Sequence, residues 1–296
     1  MDTKLQAHYR RIRRILIYVL LLNWLVALAK ILYGLSSHCA SITADGMHSL
    51  SDGASNIIGI IGIIFASQPK DKDHPYGHKK YETFFSMGIA ALLFIICFNL
   101  FKEGIGRIYN PVVPRIDIKS FLVMILTLGI NFLVMNYELK KGRLLKSDIL
   151  VADSMHTKAD IFISISVIIA LVAIRLGYTI ADPIVTIVIA LFIAHTSLDI
   201  LKYSANVLCD TVAIVDVKKI VAIVRGIKGV KACHKIRSRG RSDDIHLDLH
   251  VQVSPDMRMD EAHNISYSIE ETIKKGIPGI TDVVVHMEPV RPYPKP

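Results

Sequence analysis

The sequence predicts an α-helical membrane protein, six transmembrane helices followed by a C-terminal cytoplasmic α+β domain, on three observations. Of the 296 residues, 52% are hydrophobic, and they lie in blocks near or above the roughly 20 residues that cross a bilayer as a helix. Arginine and lysine gather in alternate links between those blocks, which assigns those links to the cytoplasmic side. From about Val212 the continuous blocks give way to short periodic patterns, the mark of a small soluble fold. Residues 1–211 are therefore read as a membrane domain and 212–296 as a cytoplasmic one.

The first span covers Ile15 to Leu35 and is preceded by Arg10, Arg11, Arg13 and Arg14. Ala27-Leu28-Ala29 could pass for a signal-peptidase site, but the apolar run continues through Tyr33 and five more spans follow, so it is read as a span. The link from Ser36 to Ala40 has no Lys or Arg and fits the outside. Span two, Ala40 to Ala66, leads to a loop holding Lys70, Lys72, Lys79 and Lys80, on the inside. Span three runs from Phe84 to Ile108, and its link to span four holds Arg107, Arg115 and Lys119, which blurs the rule. Span four, Ser120 to Tyr137, is followed by Lys140, Lys141, Arg143 and Lys146, again inside. Spans five and six cover Ile149 to Leu176 and Ile180 to Tyr203. Both termini are then cytoplasmic, with the plasma (inner) membrane the expected location. The net charge of +9 sits mainly on that side, where anionic lipid accounts for it, and no nucleic-acid partner is expected. Cys39, Cys97, Cys209 and Cys233 are scattered and suggest neither a disulfide framework nor a thiolate site.

In the soluble part, Val215 to Ile227 reads as an amphipathic helix and Val230 to Ser238 as a strand. Ile245 to Val253 alternates strictly, placing Ile245, Leu247, Leu249, Val251 and Val253 on a core face and His246 and His250 on the other. Asp260 to Lys275 is a helix stopped by Gly276 and Pro278, and Thr281 to Glu288 is a last strand before a Pro-rich tail. The order αββαβ suggests a small open α/β sandwich. Fewer than 90 residues make a thin core, so dimerisation through this domain is expected.

The chemistry lies in an internal repeat. Ala44-Asp45-Gly46-Met47-His48-Ser49-Leu50-Ser51-Asp52 returns as Ala152-Asp153-Ser154-Met155-His156-Thr157-Lys158-Ala159-Asp160, in spans two and five. His and Asp four residues apart project from one helix face, so each copy offers one imidazole nitrogen and one carboxylate. Two such helices facing each other make a four-ligand metal site from His48, Asp52, His156 and Asp160. Ionisable groups are costly in hydrocarbon, and matched pairs there point to use rather than to a polar clamp between helices. His48 lies nine residues from Cys39 at the outer end and His156 nine from Ser147 at the inner end, each roughly 14 Å of helix, so the pairs meet near the midplane. Spans two and five run in opposite directions, which hints at inverted three-helix halves and alternating access. Asp45 lies a turn toward the outside and Asp153 a turn toward the cytoplasm. Each could assist a passing ion or merely hydrogen-bond a neighbouring helix. Gly46 and Ser154 permit close helix approach, and Met47 and Met155 read as ordinary packing in preference to apolar gate elements.

With these motifs in place, the chain resembles the cation diffusion facilitators, dimeric divalent metal-ion/proton antiporters, over nearly its whole length. The resemblance implies a metallochaperone-like (ferredoxin-like) αββαβ cytoplasmic domain and a tetrahedral transport site at His48, Asp52, His156 and Asp160. In the loop Gln68 to His78, Asp71, His74 and His78 match the family's second metal site. From composition alone a charged, solvated loop is nearly as good a reading, and the resemblance tips it toward weak metal binding. Lys80 and Asp210 match a salt bridge that ties the dimer together. His234, His250, His263, His286 and Glu288 match a cytoplasmic metal site shared between subunits, against the alternative of a His-rich polar sheet face; His246 does not match.

Two imidazoles and two carboxylates favour Zn²⁺ first, whereas an all-oxygen set would suggest Mn²⁺ or Mg²⁺; Fe²⁺, Co²⁺, Cd²⁺ and Ni²⁺ stay open. Metal binding needs neutral imidazole and ionised carboxylate, so protons and metal compete for the same atoms. The expected activity is export of the divalent cation, as substrate and possible regulatory ion, with protons as counter-ion and no enzymatic reaction. An intramembrane metalloprotease would want H-E-x-x-H, which is absent. A membrane-anchored metal sensor using the soluble histidines alone would leave the repeat unexplained. The alternative within the transport reading is the same antiporter selective for Fe²⁺, Mn²⁺ or Cd²⁺.

Overall fold

Helices in the N-terminal part follow the apolar blocks but run past their ends. The computed structural model describes residues 2–36, 49–50, 52–109, 118–175, 181–213 and 216–290. Helix α1 is Asp2–Ser36, α2 Gly53–Ala66, α3 Lys80–Tyr109, α4 Ile118–Leu145, α5 Asp148–Arg175 and α6 Ala181–Leu208. Arg10 to Arg14 thus lie inside α1 rather than before it, and Lys140, Lys141 and Arg143 lie inside α4. Arg and Lys are good helix formers, so charge ends the hydrocarbon-compatible stretch without ending the helix. The turn between α4 and α5 is only Lys146-Ser147: Lys146 takes a left-handed φ of 50°, and Ser147 Oγ accepts the Leu150 N–H at 3.3 Å, capping α5.

Among the described residues, four helices are long and apolar enough to cross a membrane: Leu5–Tyr33, Lys80–Tyr109, Phe121–Leu145 and Pro183–Leu208. The described part of the expected second span is α2, apolar but 14 residues long; residues 37–48, which hold Asp45 and His48, lie outside the described residues. Helix α5 has the length, but Asp148, Asp153, Lys158 and Asp160 interrupt its apolar run. Leu25, Phe98, Leu122, Leu133 and Leu191 are each more than half exposed on the bundle's outer faces, as side chains in contact with lipid should be.

Helices α1 to α5 share one buried apolar cluster, to which Ile12, Leu16, Ile63, Ile89, Val134 and Ile149 contribute. Close approach of α2 depends on glycine. A Cβ on Gly62 would lie 2.5 Å from Phe85 Cβ, and one on Gly59 would lie 2.9 Å from Ile149 Cγ2. These two positions draw α2 against α3 and α5, which carries the second copy of the repeat.

The chain divides into compact units of residues 1–205 and 206–296. The second has the element order α7 (Val217–Arg225), β1 (Ala232–Arg241), β2 (Asp244–Val253), α8 (Met259–Gly276) and β3 (Ile280–Pro289), the expected αββαβ. Asp216 caps α7 by accepting the N–H groups of Lys218 and Lys219. Strand order is β1-β2-β3. The two-residue link Ser242-Asp243 makes β1 and β2 antiparallel, while α8 supplies the crossover that parallel β2 and β3 require. β1 extends three residues beyond its expected end because the hairpin pairs through Arg241 and Asp244. Ile245, Leu247, Leu249, Val251 and Val253 are all buried, packed with Ile220 and Val224 of α7 and Ile269 and Ile273 of α8. His246 and His250 face the other side, as the alternation requires. The Pro-rich tail, 291–296, lies outside the described residues.

Candidate metal sites

Helix α5 projects His156 and Asp160 from one face, a turn apart, toward the N-terminal end of α2, where Asp52 stands. One ligand atom from each of Asp52, His156 and Asp160 lies within 4.8 Å of the others, close enough for one ion to touch all three. His156 is 5% exposed, and neither ring nitrogen has a hydrogen-bond partner among the described residues. Buried polar atoms are almost always paired, so an imidazole with both nitrogens unpaired among the described residues is a candidate ligand. The cluster opens on a cavity of about 30 Å³, more than one water-sized body needs. His48, the fourth residue of the expected set, and Asp45 lie outside the described residues.

A buried polar network flanks the cluster. Asn23 of α1 donates to Asn56 Oδ1 at 3.2 Å, and Asn56 Nδ2 donates to Asp153 Oδ2. Thr157 donates to Glu138 Oε2 at 3.3 Å. Asp153, read as either an assisting carboxylate or a helix clamp, is thus tied to α2 by Asn56. Glu138, fully buried on α4, escaped sequence reasoning because the fourth span was closed one residue early, at Tyr137. Lys30 escaped it too: 7% exposed, it donates from Nζ to Ser49 Oγ at 3.0 Å and lines the same cavity as Asp52 and Asp160. Its signal is in plain view, a lysine inside a first span that holds no other charged residue. Lys158 of the repeat turns away from the site; its ammonium lies 5.1 Å from the Phe192 ring centre on α6 and 5.6 Å from that of Phe162, a cation–π setting that offsets burial.

The loop between α2 and α3 brings Asp71, His74 and His78 together, again with ligand atoms within 4.8 Å. Asp71 Oδ1 accepts the His74 backbone N–H at 2.6 Å, and Asp71 Oδ2 lies 3.3 Å from His78 Nε2. The His74 N–H holds the Asp71 carboxyl below its ordinary pKa, against the opposing effect of desolvation. His78 is 4% exposed, with Nδ1 unpaired among the described residues. The loop thus folds back to place Asp71, His74 and His78 together, with His78 buried and Asp71 half exposed.

In the C-terminal unit, strand register sets the third cluster. His234 pairs with His250, His250 with His286, and Gln252 with Glu288 across the sheet. A bulge after His234, with Lys235 at a φ of 49°, breaks the β1 register. His234, His250 and Glu288 offer ligand atoms within 4.8 Å of one another. The Gln252 amide, and after it His250, hold the Glu288 carboxyl below its ordinary pKa, against desolvation. The His286 ring lies 4.5 Å from that of His250, whereas His263 on α8 packs its ring edge-on against Tyr267. Within one chain the structure therefore brings together His234, His250 and Glu288, has His286 beside them, and does not bring His263 into the cluster. Lys80 starts α3 and Asp210 follows α6, in separate units.

These clusters on a bundle of apolar helices and a small sheet can be compared with known proteins. A family model described as the cation efflux transmembrane domain matches residues 16–209, and one described as the cation efflux protein cytoplasmic domain matches residues 214–290. The chain belongs to the cation efflux family. This makes it an integral, multi-pass membrane transporter of divalent metal cations, not an enzyme. Its relatives include an uncharacterized transporter of Methanocaldococcus jannaschii, 30% identical over 94% of this chain and 99% of that one. The manganese efflux system protein MneS of Bacillus subtilis is 28% identical, covering 88% and 90%. The cation-efflux pump FieF of Shewanella oneidensis is 27% identical, covering 90% of each.

Proposed function

We propose that this cation efflux protein exports Zn²⁺ from the cytoplasm in exchange for protons, by alternating access at a tetrahedral site of His48, Asp52, His156 and Asp160 near the bilayer midplane. The observation that carries this reading is the buried His156 imidazole, both nitrogens unpaired among the described residues, within ligand distance of Asp52 and Asp160. Facing the cytoplasm, the site loads metal on neutral imidazole and ionised carboxylates and gives up protons. Facing outward, protons compete for the same atoms and displace the ion, so the inward proton gradient drives export.

The orientation carries both termini in the cytoplasm of a plasma (inner) membrane. The protein works as a homodimer joined through the C-terminal unit, with Lys80 and Asp210 as its charged tie. The Asp71, His74, His78 loop collects metal at the cytoplasmic face. His234, His250, Glu288 and His286, with His263 from a second subunit, bind regulatory metal that shifts the transport equilibrium through differential affinity for its two states. A second reading has Mn²⁺ as cargo, because relatives are named as manganese efflux proteins. Imidazole donors weigh toward Zn²⁺ instead.

The test is uptake of Zn²⁺ into vesicles containing the purified protein, against an imposed proton gradient. His156→Ala and Asp52→Ala should each abolish uptake while leaving the fold intact. Uptake unaffected by both changes eliminates the transport site, absence of uptake by the parent leaves a metal sensor, and a competition series with Mn²⁺, Fe²⁺ and Cd²⁺ ranks the cargo.

A further inference from the structure

Lys30 is a cation built into the wall of a cation site. It lies on α1 six residues before the end of that helix, roughly 9 Å of rise, and a lysine so placed in a membrane helix ordinarily extends its ammonium toward the interface. Here the side chain is 7% exposed, hydrogen-bonds Ser49 Oγ at 3.0 Å, and lines the cavity shared by Asp52, His156 and Asp160. An ammonium buried in a low-dielectric interior requires nearby negative charge. Among the described residues lining this cavity, that charge belongs to Asp52 and Asp160, the two carboxylates read as metal ligands.

The formal charges of Lys30, Asp52 and Asp160 sum to −1 when no ion is present and to +1 with a divalent ion. Without Lys30 the same sums are −2 and 0. The lysine therefore makes the empty site less costly and the filled site more costly. Resting on the transport-site reading above, we infer that Lys30 is a resident counter-cation: its ammonium compensates the carboxylates between transport events and opposes the bound ion, keeping affinity low enough for release. If Lys30 served simply to tether α1 to Ser49, its loss would loosen the site and weaken metal binding. A counter-cation gives the opposite sign.

The experiment is calorimetric titration of the full-length protein in detergent with Zn²⁺ alone, in a background carrying His74→Ala and His250→Ala to silence the other two clusters. Asp160→Ala in that background identifies heat from the transport site. Lys30→Gln, whose amide can still donate to Ser49, and Lys30→Met should both bind Zn²⁺ at least about tenfold more tightly, since a full charge near a divalent ion is removed from a poorly solvated cavity. Lys30→Arg should stay within a few-fold of the parent. Asp160-dependent binding that is unchanged or weakened in Lys30→Gln overturns the counter-cation and leaves the site standing. Zn²⁺ binding that persists in Asp160→Ala overturns the transport-site reading and this inference together.

Discussion

Replacing His156 by leucine should stabilise the metal-free protein while removing its response to metal. The imidazole is 5% exposed and both its nitrogens are unpaired among the described residues; a buried polar group left unsatisfied costs ~1–3 kcal/mol. Leucine is apolar and of similar bulk, so it removes that cost without leaving a large void, and partial overpacking takes back ~1 kcal/mol. The metal-free variant should therefore gain up to ~2 kcal/mol. With Zn²⁺ at 100 times its dissociation constant, the parent gains about 2.7 kcal/mol from a single site, and the variant gains nothing there. The order of stability should reverse between chelator and metal. Thermal unfolding in detergent, with His74→Ala and His250→Ala in both proteins, reads this directly. A His156→Leu protein clearly less stable than its parent in chelator, or one that keeps a Zn²⁺-dependent shift, refutes the argument that the imidazole is buried for a ligand.

The other predictions concern packing and pH. Gly62→Ala puts a Cβ 2.5 Å from Phe85 Cβ, so α2 must move away from α3 at a cost of ~1–3 kcal/mol; a melting temperature matching the parent would show that these helices are not in close contact. In the C-terminal unit, the Asp244 carboxylate 3.8 Å from His246 Nε2, opposed by desolvation and aided by Asp282, raises the His246 pKa. A raised folded-state pKa stabilises fully below the unfolded value, about 6.5, and the benefit is lost as pH rises through the folded value. His246→Gln in the isolated unit should thus be most destabilising near pH 5.5 and progressively less so toward pH 8.5 in urea unfolding. A pH-independent difference would mean that the Asp244 contact is unimportant.

Much of this molecule was written in local pattern. Apolar blocks separated by basic links, the strict alternation of Ile245 to Val253, and the stop at Gly276 and Pro278 depend on neighbours along the chain, and the structure follows them. Helix ends were less legible, because Arg10 to Arg14 and Lys140 to Arg143 are polar by composition yet helical by propensity. The sites divide the same way. Spacing four within a helix put His156 and Asp160 on one face before any fold was known, and the repeat singled out Asp52 as their partner. Which other side chains share that space is a long-range matter: Asn56 meets Asp153 across 97 residues and Thr157 meets Glu138 across 19. Strand register likewise set His286 beside His250 and left His263 against Tyr267.

Hydrophobic period and motif spacing, both properties of the local chain, were enough to determine a membrane bundle, an αββαβ unit and the residue types of a candidate metal site. Tertiary structure decided what surrounds that site. Glycine contacts at positions 59 and 62 set how near α2 lies to α3 and α5, and the placement of α1 turned Lys30 inward. A buried charge is governed by the dielectric and partners that distant segments bring to it, and no sequence window contains those.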